Sequence, residues 1–168
     1  STSFVVDSST RENIQKRNNI HNEAQADLFI PAGGRPYTIN QTNVHKFLNT
    51  NDLPSSRAII EGANIFITKD ARQFLQTKGV CIIKDSSANK TGVICSSYEI
   101  IASLVLNKQE FLEIKETYID EVITILENKA NLEAKLLIKE ISKYENKYSL
   151  TEISQELSYA INNLTDLL

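Results

Sequence analysis

Methionine and tryptophan are absent from this 168-residue sequence, and it has only three prolines, five glycines and two cysteines. Because no initiator methionine opens it, we expect the chain to lie inside a longer protein. Its metal-ligating soft residues are Cys81, Cys95, His21 and His45, which are too few and too widely spaced for a zinc site. We predict two buried free thiols in a reducing compartment, the cytoplasm.

Long apolar runs are also missing. None approaches the roughly 20 residues of a membrane-spanning helix, and we expect neither a membrane span nor a signal peptide. Lysine and arginine number 18 against 21 acidic residues, which gives a net charge of −3. This balance argues against a nucleic-acid interface or an anionic membrane surface as partner. The length suits one domain, or a smaller domain with a helical extension.

The middle of the sequence alternates between strand and helix patterns. Residues 57–61 and 80–83 are short β-branched runs typical of buried strands. Between them, residues 68–78 carry apolar side chains at helical spacing, with Thr68 as predicted N-cap and Gly79 after the helix. Strands that alternate with a helix in this way indicate parallel strands joined by a right-handed crossover.

Further elements flank this βαβ unit. Residues 26–30 form a predicted strand that Pro31 ends. Residues 38–41 match a capping box, so we predict a helix there with Val44, Phe47 and Leu48 on one face. His45 lies on that helix and is interpreted as a structural or surface histidine. A longer helix is predicted from Val93 to about Asn107, with Ile100, Ile101, Leu104 and Val105 as its apolar residues.

The two ends of the chain differ from the middle. Residues 4–7 are a candidate strand ending at Asp7, and residues 10–22 are a loop or a short surface helix. Beyond Asn107 the pattern is almost continuously helical, and residues 149–152 match a second capping box ahead of an amphipathic helix. We therefore predict an α/β domain over residues 1–107 and a helical extension over residues 108–168, which packs on that domain or on missing parts of the protein.

Polar loops follow both strands of the βαβ unit, where open parallel sheets bind their ligands. Asn64 offers a donor and an acceptor after the first strand. Residues 85–92 form a loop of small polar residues that precedes a helix N-terminus, a place where anions bind. Gly33 and Gly34 permit close approach of a ligand to the backbone. Taken singly, each feature is also the ordinary composition of a turn.

Three segments together carry a family resemblance: IPAGGRP at 30–36, IIEGANIFIT at 59–68 and KDSSANKTGVICSSYE at 84–99. In this order and spacing they resemble the cofactor domain of NAD-dependent glutamate dehydrogenases, in particular the large multi-domain class. The resemblance covers residues 26–106. It implies the second half of a Rossmann-like doubly wound parallel sheet, followed by the long helical region.

The resemblance also implies individual roles. Asn64 lies near the nicotinamide ribose, while Val93 and the Ser96 hydroxyl face the amino-acid substrate. The residues implied to bind the NAD cofactor are Ala32, Gly33, Gly34, Asn64 and Asn89. Where the family has two glycines this sequence has Thr91 and Gly92, and a β-branched residue disfavours positive φ.

The implied reaction is oxidative deamination of L-glutamate to 2-oxoglutarate and ammonium, with hydride transfer to NAD. The family's catalytic Lys and Asp belong to another domain, whose motifs this sequence lacks. No residue here is therefore predicted to be catalytic, and the isolated chain is expected to be inactive. The implied partners are the missing catalytic domain of the same chain and further copies in a homo-oligomer.

The sequence also lacks the GxGxxG fingerprint that grips a pyrophosphate. Without it, Asp7 is interpreted as a turn or cap residue rather than a ribose ligand. Two alternatives to the glutamate enzyme stay open. One is another amino-acid dehydrogenase of the same superfamily. The other is a non-catalytic α/β module used for assembly or regulation, which the missing fingerprint and Thr91 favour.

Overall fold

A parallel sheet forms the centre of the computed structural model, which describes residues 10–143 and 147–166. Its three strands lie in the order β1-β2-β3. They are β1 Ala26–Phe29, β2 Ser56–Ile60 and β3 Cys81–Ile83. Ala58 in β2 is paired with Leu28 on one side and with Cys81 on the other. The predicted strand at residues 4–7, with Asp7, lies outside the described residues.

Six α-helices are assigned within the described ranges. They are α1 Arg11–Glu23, α2 Lys69–Thr77, α3 Asp85–Ala88, α4 Lys90–Val105, α5 Lys108–Lys143 and α6 Leu150–Asp166. The predicted α/β class and the long helical region are confirmed. The Thr68 hydroxyl caps α2 by accepting the Ala71 N–H at 3.4 Å. Gly79, just beyond α2, has a φ of +81°, the left-handed conformation that glycine tolerates.

The hydrophobic core lies between α2, the sheet and the segment that precedes β2. Ala71 and Leu75 of α2 are fully buried, as are Ile59 of β2 and Ile82 of β3. Strands that are buried in this way read as apolar runs. The predicted strands at residues 26–30, 57–61 and 80–83 agree with β1, β2 and β3 to within one residue at each end.

The prediction of a helix that begins at the capping box of residues 38–41 is wrong. The Thr38 hydroxyl donates to the Arg35 carbonyl at 2.5 Å instead of capping a helix. The Asn43 side chain accepts the Asn40 N–H at 2.8 Å and so offers the backbone a non-helical partner. A short 3-10 helix, Val44–Phe47, is all that forms. Val44 and Phe47 are nonetheless buried, as their shared face predicted.

The boundary predicted at Val93 is also wrong, because α4 begins at Lys90. Most of the predicted loop is helical, since α3 occupies Asp85–Ala88. Thr91 lies inside α4 and is not among the residues with positive φ. Its β-branched side chain therefore fits the helical backbone at this position.

The apolar residues predicted for this helix share a face, but more than half of each side chain is exposed. They are Ile100, Ile101, Leu104 and Val105. Ala102 is the residue of α4 that is buried. Helical spacing identifies which side chains point together, whereas burial depends on what covers them.

The second capping box is confirmed at the start of α6. The Ser149 N–H donates to Glu152 Oε2 at 2.8 Å, and the Glu152 N–H donates to Ser149 Oγ at 3.3 Å. Along the predicted stripe, Leu150 is buried while Ile161 and Leu164 are exposed. Leu168 lies outside the described residues. The division of the chain at residue 107 stays a prediction.

The capping box should make the stability of α6 depend on pH. Hydrogen bonds from the Ser149 N–H and hydroxyl lower the pKa of the Glu152 carboxyl. Because the pKa of Glu152 is lower in the folded state, the cap stabilises the chain at neutral pH. This stabilisation begins to be lost when the pH falls below the pKa of glutamate in an unfolded chain, about 4.3, and it disappears as the pH falls through the folded-state pKa. We expect Glu152→Gln to destabilise the chain by a few tenths of a kcal/mol at pH 7, since the carboxylate is exposed and screened.

The effect of the same substitution should shrink as the pH is lowered from 7 towards 3, because the Glu152 carboxyl becomes protonated. Urea unfolding followed by circular dichroism at the two pH values measures the difference. Glu156→Gln, one turn further along α6 at another exposed glutamate, is the matched control. A pH dependence equal in both variants would contradict the role of the cap.

Candidate functional site

Three segments meet where the parallel strands end. The turn after β1 contacts the loop after β2, because the Ala63 N–H donates to the Pro31 carbonyl at 2.6 Å. A Cβ placed on Gly62 would lie 3.1 Å from that same carbonyl oxygen. This is tighter than ordinary packing, so glycine lets the two turns approach each other.

Asn89, which directly follows α3, joins the third segment to the second. Its side-chain Nδ2 donates to Asn64 Oδ1 at 2.5 Å and to the Gly62 carbonyl at 3.3 Å. The two asparagines predicted from the sequence to lie beside the cofactor are therefore in direct contact. Asn64 is exposed and Asn89 is half-buried, so the pair lies at the protein surface, where the parallel strands end.

A buried ion pair supports the loop after β2. Arg72 Nε donates to Glu61 Oε2 at 3.0 Å, and Arg72 Nη2 donates to Glu61 Oε1 at 3.2 Å and to the Ile67 carbonyl at 2.9 Å. The Ile67 N–H donates to Glu61 Oε1 at 3.2 Å. Burial raises the pKa of the Glu61 carboxyl, and the Arg72 guanidinium opposes that rise. The bidentate contact fixes both ends of the loop.

Asp85 holds the same loop from the other side. Its Oδ2 accepts the Ile65 N–H at 2.8 Å, and its Oδ1 accepts the Ser86 N–H at 2.8 Å. Ile65 has a φ of +52°, which is unfavourable for a β-branched residue. The carboxylate therefore stabilises a backbone conformation that Ile65 would otherwise leave.

The glycine turn after β1 has one constrained and one open position. Gly34 has a φ of +126°, and a Cβ there would lie 2.8 Å from Cε2 of Phe66. Nothing lies within 4 Å of a Cβ built on Gly33. Ala32, Gly33 and Gly34 are all exposed, so the backbone of this turn is accessible to a ligand.

The two predicted substrate residues lie on α4. Val93 is 72% exposed, and Ser96 is also exposed. They are i and i+3 on one helix and therefore share a face. Because α4 begins at Lys90, Ser96 lies in its second turn rather than in the first turn that the sequence predicted.

Sequence reasoning missed the supporting residues. Arg72 and Asp85 were not singled out, because their partners lie 11 and 20 residues away along the chain. The buried serine Ser154 on α6 was also missed. One signal was available, namely an acidic residue at the end of a buried strand, which needs a positive partner nearby.

The two cysteines were predicted to be buried free thiols. Both cysteines are free thiols, as predicted, but Cys81 is exposed and Cys95 is partly exposed. The expectation that both are buried is therefore wrong. Cys81 lies on β3, an edge strand of the described sheet, and Cys95 lies on the largely exposed helix α4. No group of three His, Cys, Asp or Glu within residues 10–143 and 147–166 is arranged to hold a metal ion. Over those ranges no helix is long and apolar enough to cross a membrane.

The parallel sheet and the helices around it define a domain of the α/β class. The sequence profile of the Glutamate/Leucine/Phenylalanine/Valine dehydrogenase family matches residues 2–156. The chain therefore belongs to this dehydrogenase family.

Relatives with curated names agree with this assignment. The chain is 40% identical over 159 residues to a probable NAD-specific glutamate dehydrogenase of Schizosaccharomyces pombe, covering 88% of the chain. It is 39% identical over 163 residues to glutamate dehydrogenase 2 of Dictyostelium discoideum, covering 89%. It is 35% identical over 171 residues to the NAD-specific glutamate dehydrogenase of Saccharomyces cerevisiae, also covering 89%. The matched regions are 14%, 16% and 15% of those relatives' lengths.

Proposed function

We propose that this chain is part of an NAD-dependent glutamate dehydrogenase. The longer enzyme would oxidise L-glutamate to 2-oxoglutarate and ammonium, with hydride transfer to NAD. The observation that supports this most directly is the contact between Asn64 and Asn89 at the strand ends. Relatives named as NAD-specific glutamate dehydrogenases support the same reaction and cofactor.

The polar residues at the strand ends suit the nicotinamide end of NAD. The Asn64 and Asn89 amides can bond ribose hydroxyls or a carboxamide without adding charge. The exposed turn formed by Ala32, Gly33 and Gly34 offers main-chain groups to the same ligand. When bound, NAD supplies the hydride acceptor, and the protein orients it.

Substrate binding is assigned to α4. Ser96 presents an exposed hydroxyl that can accept or donate a hydrogen bond to the amino acid. Val93 presents an apolar surface on the same helix face. We assign no proton transfer to either residue, because neither a hydroxyl nor an alkyl group is a general base near neutral pH.

The remaining parts of the reaction belong outside this chain. The groups that polarise the 2-oxo carbon and exchange protons, and the glycine-rich turn that grips the pyrophosphate, would come from the rest of the same polypeptide. That part of the polypeptide is the first partner of this domain. A homo-oligomer of the complete enzyme, as the family resemblance implies, is the second.

Kinetics of the full-length enzyme with glutamate and NAD test these roles. We expect Asn89→Ala to raise the KM for NAD about tenfold, since it removes the side-chain amide that is proposed to contact the cofactor. We expect Ser96→Ala to raise the KM for glutamate by about the same factor. Ser97→Ala is the control. Its hydroxyl bonds the Val93 carbonyl at 3.1 Å, and both KM values should stay unchanged.

Two results would redirect the proposal. Turnover of leucine, phenylalanine or valine in preference to glutamate would identify another dehydrogenase of the same family. No turnover of any amino acid by the full-length protein would favour the non-catalytic α/β module. If the enzyme is active but neither substitution changes a KM, the strand-end loops are structural and the residue assignments are wrong.

A further inference from the structure

Helix α6 contacts α3, the helix directly before the candidate cofactor residue Asn89, through a buried serine. Ser154 is 1% exposed. Its Oγ lies 2.6 Å from Ser87 Oγ and 3.2 Å from Ser86 Oγ, both in α3. A buried hydroxyl normally needs a partner, and here its partners come from a segment 67 and 68 residues away in sequence.

Two neighbouring contacts fix the same face of α6. Gln155 Oε1 accepts a hydrogen bond from Lys84 Nζ at 3.0 Å, just before α3. Thr151 Oγ1 accepts one from Gln76 Nε2 of α2 at 2.9 Å. Residues 151, 154 and 155 are spaced i, i+3 and i+4, so they lie on one side of the helix. This side faces the end of β3 and the turn that follows it.

The opposite side of α3 contacts the loop after β2, which holds the proposed cofactor residue Asn64. Asp85 accepts the Ile65 N–H, and Asn89 contacts Gly62 and Asn64. α3 has only four residues, and so short a helix is not stable by itself in water. Its position is therefore set by its surroundings, which are α4, joined to it through Asn89, the loop after β2, and α6.

We infer that α6 positions the candidate cofactor residue Asn89, and that Ser154 is the positioning residue through which it acts. This inference rests on the proposed function, because it concerns the use of NAD. Without the Ser154 hydroxyl, Ser86 and Ser87 lose their partner and α3 can move relative to the loop after β2. Asn89 is then in the binding orientation in a smaller fraction of the molecules. The apparent affinity for NAD falls in proportion to that fraction.

The test uses the full-length enzyme with Ser154→Ala. We expect the KM for NAD, and the Kd for NADH measured by fluorescence titration, to rise about fivefold. The kcat at saturating NAD and the KM for glutamate should change by less than about twofold, since the substrate contacts on α4 are not altered. A general loss of folded protein would instead lower kcat without this split between the two KM values.

Two further variants sharpen the comparison. Ser158→Ala is the matched control, because the Ser158 hydroxyl is one turn further along α6 and bonds the Ser154 carbonyl at 2.9 Å. It should leave the KM for NAD unchanged. Gln155→Ala removes the flanking Lys84 contact and should raise the KM for NAD in the same direction. It also serves as the test variant if Ser154→Ala does not purify as folded protein.

Each outcome separates this inference from the proposed function. An inactive wild-type enzyme that also fails to bind NADH would overturn both. An active enzyme in which Asn89→Ala raises the KM for NAD but Ser154→Ala does not would overturn the role of α6 alone. Equal effects of Ser154→Ala and Ser158→Ala, or equal rises in both KM values, would assign α6 a purely structural role.

Discussion

Replacing Arg72 with leucine is expected to lower the free energy of unfolding by about 3–5 kcal/mol, because it leaves a buried carboxylate without its partner. Glu61 is fully buried and Arg72 is 8% exposed, so water cannot substitute for the guanidinium. The substitution also removes the hydrogen bond to the Ile67 carbonyl. Urea unfolding of the 168-residue chain at pH 7, followed by circular dichroism, measures the loss.

Two comparison variants isolate the charge effect. Arg57→Leu removes an exposed arginine from β2 and should change stability by no more than about 0.5 kcal/mol. The double variant Glu61→Gln with Arg72→Leu leaves no buried charge, and its glutamine oxygen can still accept the Ile67 N–H. It should therefore be more stable than Arg72→Leu alone. A double variant as unstable as the single one would show that lost packing, not the unpaired charge, is the cause.

The Arg72→Leu variant should also respond to pH. Burial raises the pKa of the Glu61 carboxyl, and Arg72 is the group that opposes this rise. With the guanidinium removed, the pKa of Glu61 in the folded state is expected to rise further above its value in the unfolded state. Stability is then greatest at low pH and falls as the pH rises through the folded-state pKa. The deficit relative to the wild type should therefore shrink as the pH is lowered from 7 towards 5.

The two capping boxes show how far local sequence determines local structure. Residues 38–41 and residues 149–152 carry the same pattern, yet only the second one caps a helix. In the first, the Asn40 and Asn43 side chains bond the nearby backbone, and Ile39 forms a parallel bridge with Ile67. These contacts satisfy the groups that a helix would have used. In the second, Thr151 Oγ1 lies 3.0 Å from Ser149 Oγ, but the two reciprocal hydrogen bonds between Ser149 and Glu152 still form.

Within the candidate site, the placement of the polar loop residues could be predicted from the sequence better than the contacts that hold those loops. Parallel strands place their following loops at one edge of the sheet, and the family resemblance identified Asn64 and Asn89 within those loops. Their contact at 2.5 Å agrees with that placement. The residues that hold the loops, Asp85 and Ser154, act across 20 and 67 residues. Sequence patterns and helical or strand periodicity depend on residues that are close along the chain. They therefore do not predict contacts between residues that are far apart in sequence.

Alanine at Gly34 is expected to destabilise the chain by about 2–4 kcal/mol, the sum of backbone strain and a steric clash. A φ of +126° is a conformation that side chains with a Cβ rarely adopt, and the new methyl group would lie 2.8 Å from Cε2 of Phe66. Phe66 is 5% exposed and packs edge-on against Phe29, with ring centroids 6.0 Å apart. It therefore has little room to move away. Urea unfolding of Gly34→Ala against the wild type measures the effect.

Gly33→Ala is the matched control, since it makes the same chemical change one residue earlier. Nothing lies within 4 Å of a Cβ at Gly33, and its φ is not positive. Alanine there should leave stability within about 0.5 kcal/mol or raise it slightly, because it restricts the unfolded chain. Equal destabilisation by both substitutions would mean that the turn as a whole rejects side chains. A neutral Gly34→Ala would mean that Phe66 moves to make room and that the turn is not held in this conformation.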